Sequence, residues 1–203
     1  MKLFDGGKAP NPRRVRVFLS EKSISVPLVP VDMGALGHQQ EPVASRNPLR
    51  RLPVLELDDG TVITESVAIC RYFEELQPEP PLLGIGALGK ALVEMWQRRI
   101  EQNLFAAVAA AFRHIHPAMK EWEIPQVPEW GEVNKPRAIE FLRILDKELA
   151  DREFAAGDAF SIADITGMIA VDFMKPARIP LPEELANVTR WYAALRARPS
   201  AAA

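Results

Sequence analysis

The sequence predicts a chain in two parts: an α/β unit of order βαβ–ββα over residues 1–77, a linker at 78–86, and an all-helical bundle over 87–203. Three observations carry that expectation. Short apolar runs alternate with helix-period stretches as far as residue 77, so strands and helices exchange along the chain. The stretch "QPEPPLLGIG", residues 77–86, gathers proline and glycine in the manner of a connector. Beyond it the apolar spacing is that of helices alone.

The elements follow in order. Lys2–Asp5, with Leu3 and Phe4, reads as a first strand. "GGKAPNPRRVRVF", residues 6–18, reads as a turn entering a helix in which Val15, Phe18 and Leu19 share one face. Asn11 suits the N-cap of that helix and Pro12 its first position, where a missing N–H costs nothing. "VPLVPVDM", residues 26–33, reads as a second strand, and its prolines put it at an edge. Strand–helix–strand implies a parallel pair with a right-handed crossover. Residues 34–50 suggest one irregular short helix. "PVLELDDGTVITE", residues 53–65, reads as a hairpin turning at Asp59-Gly60, and "SVAICRYFEEL", residues 66–76, as a helix. In the second part, residues 87–115 read as one long helix and 116–133, with three prolines, as an irregular loop. Further helices are expected over 134–151, 160–174 and 182–197.

Composition narrows the function. Hydrophobic residues are 48% and charged residues 26%, which is the balance of a packed domain rather than a disordered chain. The net charge of −2 gives no case for nucleic acid, which needs a clustered basic face. Arg13, Arg14 and Arg16 form only a short local cluster, better matched to a small anion. A single cysteine, Cys70, excludes an intramolecular disulfide. No leader-like or membrane-spanning run is present, so the cytoplasm is the expected compartment.

The residues with the clearest chemistry lie in "LRRLPVLELDDGTVITESVAI", residues 49–69. A cis Leu52–Pro53 bond would turn the Leu52 backbone outward, where an extended peptide pairs with it as an added strand. Ser66 opens a helix, whose free N–H groups and hydroxyl suit a carboxylate. Glu65 beside it suits an ammonium group. A ligand with both charges on one carbon, such as a γ-glutamyl head group, meets both needs. "FSIADI", residues 160–165, reads as folding equipment: Ser161 as N-cap, with Asp164 three residues on reaching back to it. Cys70, in an apolar run, reads as a small core residue. His114 and His116 do not share a helix face and no partner completes a metal site, so no metal is expected.

On "NPLRRLPVLELDDGTVITESVAICRYF" and "FAAGDAFSIADITGMIAVDF" the chain resembles the cytosolic glutathione S-transferase family. The resemblance implies a thioredoxin-like N-terminal domain, a helical C-terminal domain and a homodimer. It implies glutathione as co-substrate, a hydrophobic electrophile lying between the domains, and a role in detoxification. By the same resemblance Leu52 and Pro53 contact the cysteinyl backbone and Glu65 and Ser66 hold the γ-glutamate. His38 and Arg51 fall where theta-type members approach the glycine carboxylate.

The position that handles sulfur in Ser- and Cys-type relatives is Ala9 here, ahead of Pro10. A methyl group neither donates nor attacks. The Thr-Pro-Asn of Nu-type members aligns with Ala9-Pro10-Asn11, which leaves Asn11 as the residue expected to contact the thiolate. Arg14 is a possible electrostatic helper, and a solvated surface residue is the plainer reading of it. Three activities stay open at this point: conjugation, glutathione-dependent reduction of a disulfide or peroxide without an enzyme cysteine, and binding without turnover.

Overall fold

The computed structural model describes all 203 residues. They form two compact units, Met1–Leu82 with Pro199–Ala203, and Leu83–Arg198. In the first unit β1 (Lys2–Asp5), β2 (Leu28–Pro30), β3 (Val54–Glu56) and β4 (Val62–Thr64) make one sheet of order β2-β1-β3-β4. β2 runs parallel to β1, with Phe4 opposite Val29, while β1/β3 and β3/β4 are antiparallel. Helices α1 (Pro10–Glu21), α2 (Val43–Arg46) and α3 (Ser66–Leu76) complete the unit. The βαβ–ββα order and the parallel first pair are as the sequence predicts.

Strand alternation divides the packing between two faces. Phe4 pairs with Val54, and both pack with Val43 of α2, Leu52, Val31 and Met33. Leu3 pairs with Leu55, and both are fully buried. Val15, Val17, Phe18 and Leu19 of α1 and Ile69, Cys70 and Phe73 of α3 are buried and add to the apolar core of this unit. Full burial of one such side chain stabilises by about 1.5–3 kcal/mol. The far ends of α1 and α3 are tied by Lys22, only 1% exposed. Its ammonium donates to the carbonyls of Gln77 and Pro80, each at 2.7 Å, and pairs with Glu74 at 2.6 Å. The Gln77 amide returns a bond to the Lys22 carbonyl at 2.6 Å.

The second unit holds α4 (Gly86–Ile100), α5 (Ala106–Ile115), α6 (Pro128–Glu148), α7 (Ile162–Met174) and α8 (Ala186–Arg196). Eleven of the thirteen residues of α7 are buried, so it is the central helix. Asp164 fixes its start by accepting from the Ser161 N–H at 2.9 Å and hydroxyl at 3.0 Å. The same carboxylate takes the Ala155 N–H at 2.8 Å and the Trp191 indole N–H at 2.9 Å. Burial holds the Asp164 carboxyl above its ordinary value, and these four donors offset only part of that rise. Trp191 lies directly over Gly167: a Cβ there would sit 2.4 Å from the indole ring. No helix is long and apolar enough to cross a membrane.

Four boundaries depart from the sequence reading. Ala9, not Asn11, is the N-cap of α1, and Pro10 takes the first helical position ahead of Pro12. A second proline two residues on is compatible with the first turn, so the earlier one sets the start. The expected strand at 26–33 shortens to Leu28–Pro30, because prolines at 27 and 30 remove two ladder donors. The helix expected over 87–115 is interrupted at Glu101–Phe105 by a wide turn in which the Ala106 N–H reaches the Glu101 carbonyl. Finally, α6 begins at Pro128 inside the predicted loop and runs through Pro136. Pro136 is exposed, so the carbonyl it leaves without a partner on α6 faces water.

Candidate functional site

The turn from β1 into α1 is built on short contacts. The Gly7 N–H, at φ +60°, donates to the Asp5 carboxylate at 3.0 Å. Arg16 pairs with the same carboxylate. Ala9 caps α1 with extended backbone and no side-chain bond. Pro10 and Pro12 have no N–H, so Asn11 is the only one of the first three helical residues able to donate from its backbone. The Asn11 side-chain oxygen does not cap the helix. It accepts from Arg14 Nη1 at 3.0 Å.

Arg14 is therefore not a solvated residue. It is 1% exposed, one turn along α1 and on the same face as Asn11. Its Nη1 also donates to the Ser66 hydroxyl oxygen at 2.7 Å. Ser66 is the first residue of α3 and is 5% exposed. One guanidinium nitrogen thus reaches both helix starts. The arginine cluster of the sequence does not survive folding: Arg13 donates to the Ala201 carbonyl at 2.8 Å, Arg14 turns inward, and Arg16 turns to Asp5.

Glu65, just ahead of Ser66, is exposed and has φ +65°. A side chain held in that region costs roughly 1–3 kcal/mol, which the surrounding structure must offset. Its carbonyl accepts the Ile69 N–H at 3.0 Å and so closes the first turn of α3. Ser66, Val67 and Ala68 all have N–H groups, in contrast to the proline-bearing start of α1.

Leu52 lies two residues ahead of β3, and its bond to Pro53 is cis. Its side chain belongs to the Phe4–Val54 cluster and comes 3.2 Å from where a Cβ on Gly6 would sit. That packing sets Leu52 beside the β1–α1 turn. His38 and Arg51 form a second group. His38 is 4% exposed, and burial together with the Arg51 charge holds its imidazole below the ordinary histidine value. Arg51 itself is exposed.

Other candidates settle as structural. Cys70 is fully buried, and burial pushes its thiol well above the ordinary range despite the nearby Arg14 charge. His114 Nδ1 accepts the Val127 N–H at 3.1 Å and His116 Nδ1 the Ala118 N–H at 3.2 Å. The residue that sequence reasoning undervalued is Arg14. Its i, i+3 spacing from Asn11 was the available signal, and only the tertiary pairing with Ser66 completes it.

Comparison with known proteins identifies the class to which this α/β unit followed by an all-helical unit belongs. Residues 9–76 match the N-terminal domain of glutathione S-transferases and residues 126–199 match the C-terminal domain. Glutathione S-transferase 2 of Saccharomyces cerevisiae is 35% identical over 203 residues, spanning 98% of this chain and 87% of that one. A glutathione S-transferase domain-containing protein of Marinobacter aquaeolei VT8 superposes with a TM-score of 0.95 at 37% identity, over 98% of this chain and 99% of its own. Gtt2 from Saccharomyces cerevisiae superposes at 0.93 with 35% identity, over 98% of each chain. The chain belongs to the glutathione S-transferase family, with a thioredoxin-like N-terminal domain and a helical C-terminal domain.

Proposed function

We propose that the protein binds glutathione across the starts of α1 and α3 and adds its sulfur, as thiolate, to a hydrophobic electrophile. The observation that carries this reading is the meeting of Asn11 and Ser66 at one atom, Arg14 Nη1. Ser66 and the first N–H groups of α3 take the γ-glutamyl carboxylate, where the helix dipole favours an anion. Glu65 takes the ammonium group on the same carbon. The Leu52 backbone, ahead of Pro53, pairs with the cysteinyl segment as an added strand. His38 and Arg51 receive the glycine carboxylate, Arg51 supplying charge and neutral His38 a hydrogen bond.

Asn11 acts on the sulfur. Arginine has no acceptor, so the Asn11 oxygen must be the atom facing it, and the amide nitrogen points the other way. A free thiol with a pKa of about 8.5 is only a few per cent ionised at neutral pH. A hydrogen bond to a charged group contributes about 1.5–3 kcal/mol, enough to move that balance by one to two powers of ten. The thiol proton leaves to solvent. The new C–S bond then forms as a leaving group departs from the electrophilic carbon. We expect a homodimer, a cytoplasmic setting and a role in detoxification, following the family.

Ala9 supports a second reading, a glutathione-binding module without turnover, because its methyl group offers the sulfur nothing. Retention on immobilised glutathione, followed by assays with a chloronitroarene and with hydroxyethyl disulfide, separates these readings. Arene turnover supports conjugation, disulfide turnover alone supports reduction, and binding with neither supports the module. Asn11→Ala is expected to lower kcat about tenfold with little change in glutathione Kd. Ser66→Ala is expected to weaken binding about tenfold. Unchanged turnover in the first variant would remove Asn11 from the mechanism, and an unaltered Kd in the second would move the carboxylate elsewhere.

A further inference from the structure

We infer that the end of α7 carries a second binding site, for an aliphatic carboxylate, built wholly from the helical unit. A cavity of about 480 Å³ opens there between α7, the segment that follows it and Tyr192 of α8. Its floor is aliphatic: Val171, Met174 and Ile179 are buried, and Leu181 is half-buried beside them. That size and that lining suit a small ligand with an apolar body. Pro180 and Pro182 flank Leu181, and their rings fix the backbone of this wall. The hollow is therefore held open before a ligand arrives, which lowers the cost of ordering it on binding. None of the residues proposed to hold glutathione lines it.

The rim sets the charge of the ligand. Lys175 and Arg178 both line the cavity, both are exposed, and neither is in an ion pair. The Asp172 carboxylate, three residues before Lys175, is already engaged: it accepts from the Tyr192 hydroxyl and pairs with Arg196 at 3.2 Å. A helix C-terminus is worth roughly half a negative charge, which two whole cations exceed. The last carbonyls of α7 are also occupied. The Ile179 N–H donates to the Met174 carbonyl and the Arg178 N–H to the Lys175 carbonyl, each at 3.0 Å. Arg178 has φ +56°, at a position that helix ends commonly give to glycine. Glycine would make the same two backbone bonds without the strain, so the turn itself does not call for this side chain. Two cations on the rim of an aliphatic hollow fit a carboxylate, whose oxygens face the rim while its chain lies on the floor.

The test titrates the full chain with sodium decanoate by calorimetry, with octanoate, hexanoate and decanol as comparisons. Decanoate should bind saturably, one per chain. Affinity should fall about tenfold for each pair of methylenes removed, and decanol should bind at least fivefold more weakly than decanoate. Arg178→Gly suits the left-handed turn, so its melting temperature should equal or exceed that of the wild type. Its decanoate affinity should nevertheless drop about fivefold. Lys175→Gln should act alike, and the two changes together should weaken binding at least tenfold. Leu181→Glu places a carboxylate on the half-buried wall and should abolish binding. No saturable binding by the wild type would overturn the inference, as would an affinity independent of chain length or equal for decanol. Unchanged affinity in folded Arg178→Gly and Lys175→Gln variants would place the ligand elsewhere and overturn it too. Should Arg178→Gly not fold, Lys175→Gln and Leu181→Glu decide, and wild-type affinity in both removes the site.

Discussion

Arg14 and His38 are each nearly inaccessible to water, and each gains its meaning from a neighbour far away in sequence. Arg14 reaches Ser66 across 52 positions. Nothing in a local window marks such a pair, because a surface arginine and a buried one look alike until the fold closes. Burial and the nearby Arg51 charge both favour the neutral ring of His38. Its folded pKa lies below the unfolded value of about 6.5, so the unfolded chain takes up the proton first as pH falls. The stability contributed by His38 is complete above that value and is lost as pH drops through the folded pKa. Urea midpoints measured across mildly acidic pH should therefore fall more steeply for the wild type than for His38→Gln. Parallel curves would mean that His38 does not contribute to acid sensitivity.

Among the elements, those with strong local signals were legible. The hairpin at Asp59-Gly60, the start of α3 at Ser66 and the Asp164-anchored start of α7 all stand where the sequence puts them. The breaks were harder to place. Glu101–Phe105 is as helix-favouring as its surroundings, so the wide turn there has no composition signal. Pro128 lies among turn-forming residues, yet proline is also at home in the first turn of a helix, and here it opens α6. Lys22→Met leaves Glu74 buried without its ammonium partner and should destabilise by about 3 kcal/mol, with Lys22→Met/Glu74→Met recovering part of the loss. Thermal melts of the single and double variants check this, and equal losses would argue against the pair. Gly167→Ala forces a methyl against the Trp191 ring and should cost about 1–3 kcal/mol in the same assay. A wild-type melting temperature would show that α8 can shift to accommodate it.

Over the whole molecule, the two units come with separate natural reporters. All four tryptophans, Trp96, Trp122, Trp130 and Trp191, lie within Leu83–Arg198, while the single cysteine is fully buried in the other unit. The first unit is also discontinuous, since Pro199–Ala203 returns to it. Ala201 accepts from Arg13 at 2.8 Å, and the Ser200 hydroxyl bonds to Glu21. Both partners are on α1, so the segment fastens the helix that supports the proposed site. Sequence order gives no sign of such a return. Deleting residues 199–203 should raise the rate of Cys70 modification by a thiol reagent several-fold, through easier local opening. The tryptophan-reported unfolding midpoint should stay put. Unchanged Cys70 reactivity would mean the returning segment adds no protection.

The two pyrrolidine rings in the opening turn of α1 set a limit on how this scaffold can be improved. With a single amide hydrogen among three residues, the main chain has little left to offer a sulfur anion, however the turn is adjusted. Faster variants would have to be sought through the side chains at positions 9 and 11. A hydroxyl introduced at position 9 is the smallest change that brings a new donor to that corner.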